Sequence, residues 1–138
     1  MPLVEDKELE KIKERMLKRI MEPADPSPLK NGIVNELSTA NFDNAISKAR
    51  LPVLVDFWAG WCAPCTVMKP VMEAMAKDYS GKAHFAKVDV DRNQALARRY
   101  SVMSIPNFVI FRNGGPVDRI LGAVGRSGLE TVLKKYLG

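Results

Sequence analysis

The sequence predicts an α/β domain: a mixed sheet of about five strands flanked by helices on both faces, preceded by one extra amphipathic helix. Three observations carry this. From Ile33 onward, strand-like and helix-like runs alternate along the chain. Val53–Trp58 is apolar throughout except at Asp56, as expected of a central strand covered on both faces. Near the end, two strand-like runs are joined by Asn113-Gly114-Gly115, a hairpin signal.

Taken in order, Leu9, Ile12, Met16 and Ile20 recur at spacings of three and four, widened by Leu17 and Met21. That period predicts a helix of roughly 15 residues. Pro23, Pro26 and Pro28 stop it, and 23–32 reads as a Pro-rich linker ending in Gly32. A lone helix of this length is marginal in water, so its stripe either docks on its own domain or frays, or it serves self-association or partner binding. Ile33–Leu37 is then a short strand. Ser38 or Thr39 caps a helix running to about Lys48, with Phe42, Ala45 and Ile46 inward. After the Val53–Trp58 strand comes a helix from Cys62 to about Tyr79, kinked at Pro70. Ala83–Val90 is a strand, Asn93–Tyr100 a short helix, Asn107–Phe111 and Val117–Leu121 the hairpin strands, and Ser127–Leu137 the last helix. Strand–helix–strand units require parallel crossovers and the hairpin is antiparallel, so the sheet is mixed. The chain divides into an extension, 1–32, and one domain, 33–138.

Composition narrows the function. The 138 residues suit one domain; 46% are hydrophobic and 27% charged, which excludes disorder and a disulfide-dense scaffold. No apolar stretch approaches the roughly 18 residues of a membrane span. The charged N-terminus lacks the apolar core of a secretory signal, so a cytoplasmic protein with no membrane association is expected. Residues 1–22 hold six basic and six acidic side chains, so the net +5 belongs to the rest. No nucleic-acid recognition motif accompanies it, and no nucleic-acid partner is expected. Nothing resembles a dinucleotide loop, so no cofactor is implied.

The only cysteines, Cys62 and Cys65, stand in Trp61-Cys62-Ala63-Pro64-Cys65 where the central strand passes into a helix. A C-x-x-C beside a βαβ pattern is a redox motif. Free N–H groups and the positive dipole end of a helix stabilise a thiolate there. A second sulfur one turn on can resolve the mixed disulfide. Pro64 costs the first turn nothing, because those N–H groups have no helical partner. Other readings are a structural disulfide, a pair of inert buried thiols, or a zinc site. One chain offers zinc only two cysteines and His84; two chains would supply four thiolates.

VLVDFWAGWCAPC, Lys69-Pro70, AKVDVD, YSVMSIPN, FRNG and LGAVGRSGL follow one another in the order and spacing of the thioredoxin family. The resemblance covers about 33–138. It implies the thioredoxin fold, and a thiol–disulfide oxidoreductase that acts as a general protein-disulfide reductase. By resemblance, Cys62 is the exposed attacking thiol and Cys65 the buried resolving one. Asp56 resembles the family's buried aspartate, whose raised pKa lets it pass a proton to or from Cys65. Lys87 stands where the family has a lysine near that aspartate, and Pro106 resembles the family's cis-proline. Trp61, Ile105, Pro106, Gly122 and Ala123 would rim a docking patch, with Trp58 as core support. The implied partners are a thioredoxin-reductase-like electron donor and disulfide-containing proteins. Rivals are an oxidant or isomerase on the same fold, and a binding module tethered through the N-terminal helix. Ala63, Thr66, Asn107 and Gly60 depart from the commonest family residues, and each neighbours the thiols or the proline. Nothing in the sequence suggests a role for His84.

Overall fold

A computed structural model describes residues 6–21 and 25–138. Helix α1 spans Asp6–Met21. The start of the chain and Pro23 lie outside the described residues, as do the side chains of Ile20 and Met21. The domain then runs β1 (Val34–Glu36), α2 (Phe42–Lys48), β2 (Val53–Trp58), α3 (Ala63–Asp78), β3 (His84–Asp89), α4 (Gln94–Arg99), β4 (Asn107–Arg112), β5 (Gly115–Leu121) and α5 (Gly125–Leu133). The strands form one sheet in the order β1-β3-β2-β4-β5. β1, β3 and β2 run parallel, β4 pairs antiparallel with β2, and β5 pairs antiparallel with β4.

Period two along β2 divides the core. Val53, Val55 and Phe57 face one side, with Phe42, Ile46, Leu96 and Phe111. Leu54 faces the other, with Met68, Met72 and Met75 of α3 and Leu129 and Leu133 of α5. Asp56, two residues on from Leu54, therefore points to the α3 face. This one fact puts a carboxylate beneath the helix that carries the cysteines.

Several boundaries differ from the sequence expectation for identifiable reasons. Helix α2 starts at Phe42, not after Ser38 or Thr39, because Ser38–Asn41 forms a turn of its own in which the Asn41 side chain accepts the Ser38 N–H at 2.7 Å. Thr39 is held instead by Asn93, whose Oδ1 accepts its N–H at 2.9 Å. The hairpin turn is two residues, with Asn113 and Gly114 both at positive φ. Gly115 pairs with Arg112, so β5 begins earlier than Val117. Helix α5 starts at Gly125 and ends at Leu133; Lys134–Tyr136 tightens into a 3-10 turn. Pro70 lies inside α3, where Thr66 C=O loses its usual donor.

The linker is less free than its prolines suggest. Leu29 is buried in the core against Phe42 and its neighbours. Ser27 Oγ donates to Ala45 C=O at 2.7 Å, and Asp25 Oδ2 lies 2.7 Å from His84 Nε2. His84 is buried, so the strand residue without an assigned role is the socket into which the linker's first described residue fits.

Candidate active site

The C-terminal end of β2 delivers the chain to Cys62, which caps α3. Cys62 Sγ accepts the Cys65 N–H at 3.3 Å, a donor that would otherwise be unpaired at a helix start. The same N–H, together with the helix dipole, is aimed at Cys62 Sγ, an arrangement that favours negative charge on that atom. Cys62 and Cys65 are joined as a disulfide, their Cα atoms 5.3 Å apart. Pro64 occupies the first turn and is exposed.

Exposure does not separate the two sulfurs as the resemblance implied. Cys62 is 5% exposed and Cys65 4%, because Ala59, Trp58, Val90 and Ile105 pack around the pair. Surroundings do separate them. Cys62 follows Trp61, which is 72% exposed. Cys65 lines a cavity of about 170 Å³ with Asp56, Trp58, Gly60, Thr66, Lys69 and Lys87. Asp56 is thus brought to the Cys65 side. Its Oδ1 has no hydrogen-bond partner among the described residues, although the cavity is large enough for several waters. Burial pushes its carboxyl up to about 7, against the opposing pull of Lys87. Asp56 and Lys87 are register partners on neighbouring parallel strands. The Lys87 ammonium sits 5.3 Å from the centre of the Trp58 ring, so Trp58 walls the cavity as well as supporting the core.

Opposite the disulfide, the Ile105–Pro106 peptide is cis and Pro106 is buried, while Ile105 reaches the disulfide cluster. Pro106 C=O accepts the Gly122 N–H at 2.9 Å, which fixes the β5 end against this loop. Gly122 has φ +86° with open space where a Cβ would be; its backbone conformation alone requires glycine. Ala123 is exposed beside it. Trp61 is steered by its Nε1–H, which donates to Asp91 Oδ2 at 2.9 Å. Sequence reasoning missed four exposed apolar residues that lie close in sequence to these: Val67 after Cys65, Met103 before Ile105, and Leu121 and Val124 on either side of Gly122. Met103, 91% exposed, left no readable trace, since its apolar neighbour Val102 is half-buried and nothing in the sequence tells the two apart.

A strand-to-helix C-x-x-C thus stands above a buried carboxylate, with a cis-proline beside it. The thioredoxin family model matches residues 33–135. The chain belongs to the thioredoxin family. It is 44% identical over 102 residues to thioredoxin from Staphylococcus aureus, covering 74% of this chain and 96% of that one. It is 41% identical over 104 residues to thioredoxin from Porphyra purpurea, covering 75% and 97%. A solved mutant thioredoxin from Halobacterium salinarum superposes with a TM-score of 0.73 at 33% identity, covering 79% of this chain and 95% of that one. The thioredoxin fold and a thiol–disulfide oxidoreductase with protein-disulfide reductase activity follow from these matches together with the Cys62–Cys65 pair. Thioredoxins as a family take electrons from a reductase and pass them to disulfides. Helix α1 lies outside the matched span. Among the described residues no helix is long and apolar enough to cross a membrane.

Proposed function

We propose that this member of the family is a general, cytoplasmic protein-disulfide reductase in which Cys62 attacks, Cys65 resolves and Asp56 handles the proton. The observation that carries the assignment is the asymmetry of the pair: Cys65, and not Cys62, shares a cavity with Asp56. Cys62 Sγ, as thiolate, attacks one sulfur of a substrate disulfide. A Cys62–substrate bond forms and the other substrate sulfur leaves as a thiolate. The Cys65 thiol then gives its proton to the Asp56 carboxylate and attacks Cys62 Sγ. The Cys62–Cys65 bond forms, the second substrate sulfur leaves, and two electrons have passed to the substrate. A carboxyl near neutrality can accept that proton and return it when the disulfide is reduced. A thioredoxin-reductase-like donor restores the dithiol. Lys87 supports by opposing the rise in the Asp56 pKa. Pro64 and the cis Pro106 position the pair. Trp61, Ile105, Gly122 and Ala123 receive the substrate chain.

The deciding measurement is the reduction potential of the pair against a thiol buffer, read by Trp58 and Trp61 fluorescence, with Cys65→Ser as control. A potential well below the cytosolic glutathione poise is expected of a donor. A potential well above it would replace the reductase reading with an oxidant or isomerase.

A further inference from the structure

We propose that α1 is a self-association element: it pairs antiparallel with α1 of a second copy, Leu9 of each packing against Ile12 of the other. Leu9, Ile12, Met16 and Leu17 are all exposed on α1, although a helix of 16 residues is marginal in water without cover. Among the described residues the domain covers none of the side chains from Asp6 to Leu17, all of which are exposed.

The charges identify the occupant. Leu9 and Met16 are seven apart with Ile12 between them, which makes a short seam of the coiled-coil kind. Asp6 and Lys13 flank the seam on one side, Glu8 and Arg15 on the other. When two such helices run antiparallel, equivalent flanks meet. Asp6 then faces Lys13 of the second copy, and Glu8 faces Arg15. Two-fold symmetry doubles each contact, so all four flanking charges find an opposite sign. In a parallel pair the unlike flanks meet. Only Glu8 and Lys13 are then matched, and Asp6 and Arg15 have no opposite partner. The helix as a whole leans the same way: three of the first four charges (Asp6, Glu8, Glu10) are acidic with Lys7 the exception, and five of the next six (Lys11, Lys13, Arg15, Lys18, Arg19) are basic with Glu14 the exception. A lipid surface fits less well. Residues 1–22 carry no net charge, whereas helices that lie on anionic membranes present a basic polar face.

The test is sedimentation equilibrium of the full chain over a concentration series, in reductant so that no interchain disulfide contributes. Reversible dimerisation is expected, weakened by salt. Glu8→Arg should weaken it about tenfold, because two attractive pairs become repulsive. The double variant Glu8→Arg/Arg15→Glu should recover most of that loss. Helix content measured by circular dichroism alongside separates recovered pairing from the intrahelical contacts that Arg15→Glu makes with Lys11, Lys18 and Arg19. In a parallel pair the second change would rescue nothing. A chain that stays monomeric with its helix content intact overturns the proposal. So does a double variant no tighter than the single one. Binding to phosphatidylserine vesicles without self-association overturns it in favour of a membrane surface.

Discussion

Asp56 illustrates how a single residue can trade stability for chemistry. An isolated carboxyl ionises near 3.8, and in the folded protein this one is pushed up to about 7. Below the lower value both states are protonated and the group is neutral to folding. Between the two, the unfolded chain ionises while the native one does not, so stability falls as pH rises, by about 1.4 kcal/mol per unit and about 4 kcal/mol in all. Asp56→Asn should therefore raise the unfolding free energy at pH 8 by up to about 4 kcal/mol, with the gain vanishing towards pH 4, as read by denaturant titration. The same variant should slow release of the mixed disulfide by about a hundredfold while attack by Cys62 is little changed, which trapping of the covalent intermediate will report. Met103→Glu should raise KM for a protein disulfide and leave a small-molecule disulfide unaffected, since only the former covers the rim. Both cysteines and Asp56 were legible in the sequence because each breaks a local pattern: two thiols at a strand end, one charge in an apolar strand. Met103, Val67 and Val124 were not, because an isolated apolar residue carries no sign of whether it faces core or solvent.

At the scale of elements, the alternation of periods located every strand and helix, and the errors collect at ends where side-chain hydrogen bonds decide. Asn41 moved the start of α2, and the Asn113-Gly114 turn moved the start of β5. The docked linker was illegible for a different reason. Its prolines mark the absence of helix, whereas its attachment depends on His84, 59 residues away in sequence. Burial raises the Asp25 carboxyl pKa, but the hydrogen bonds to His84 and from the Ser27 N–H outweigh it and hold the group below its ordinary value. The stability it contributes is therefore present above the usual carboxylate range and lost as pH falls through the native value. Asp25→Asn should cost about 1 to 3 kcal/mol at neutral pH, the deficit shrinking in acid unfolding series below pH 4. Leu29→Ala should cost about 2 to 5 kcal/mol by the same measurement, through the cavity it leaves beside Phe42.

For the molecule as a whole, the matched span begins at residue 33, yet buried contacts begin at Asp25. Two truncations separate these boundaries: a chain starting at residue 25 should match the full chain in thermal midpoint, and one starting at residue 33 should melt lower by several degrees. The Asp25 anchor lies at the beginning of β3, level with Val53 at the beginning of β2, whereas Cys62 follows the far end of β2. Six residues of strand, roughly 20 Å, therefore separate the place where the N-terminal arm joins from the place where electrons leave. Grafted onto a bead or an electrode through residue 25 of a chain beginning there, the molecule would stand with its sulfurs outward, and an oriented layer of it should reduce proteins in solution as readily as the free chain does.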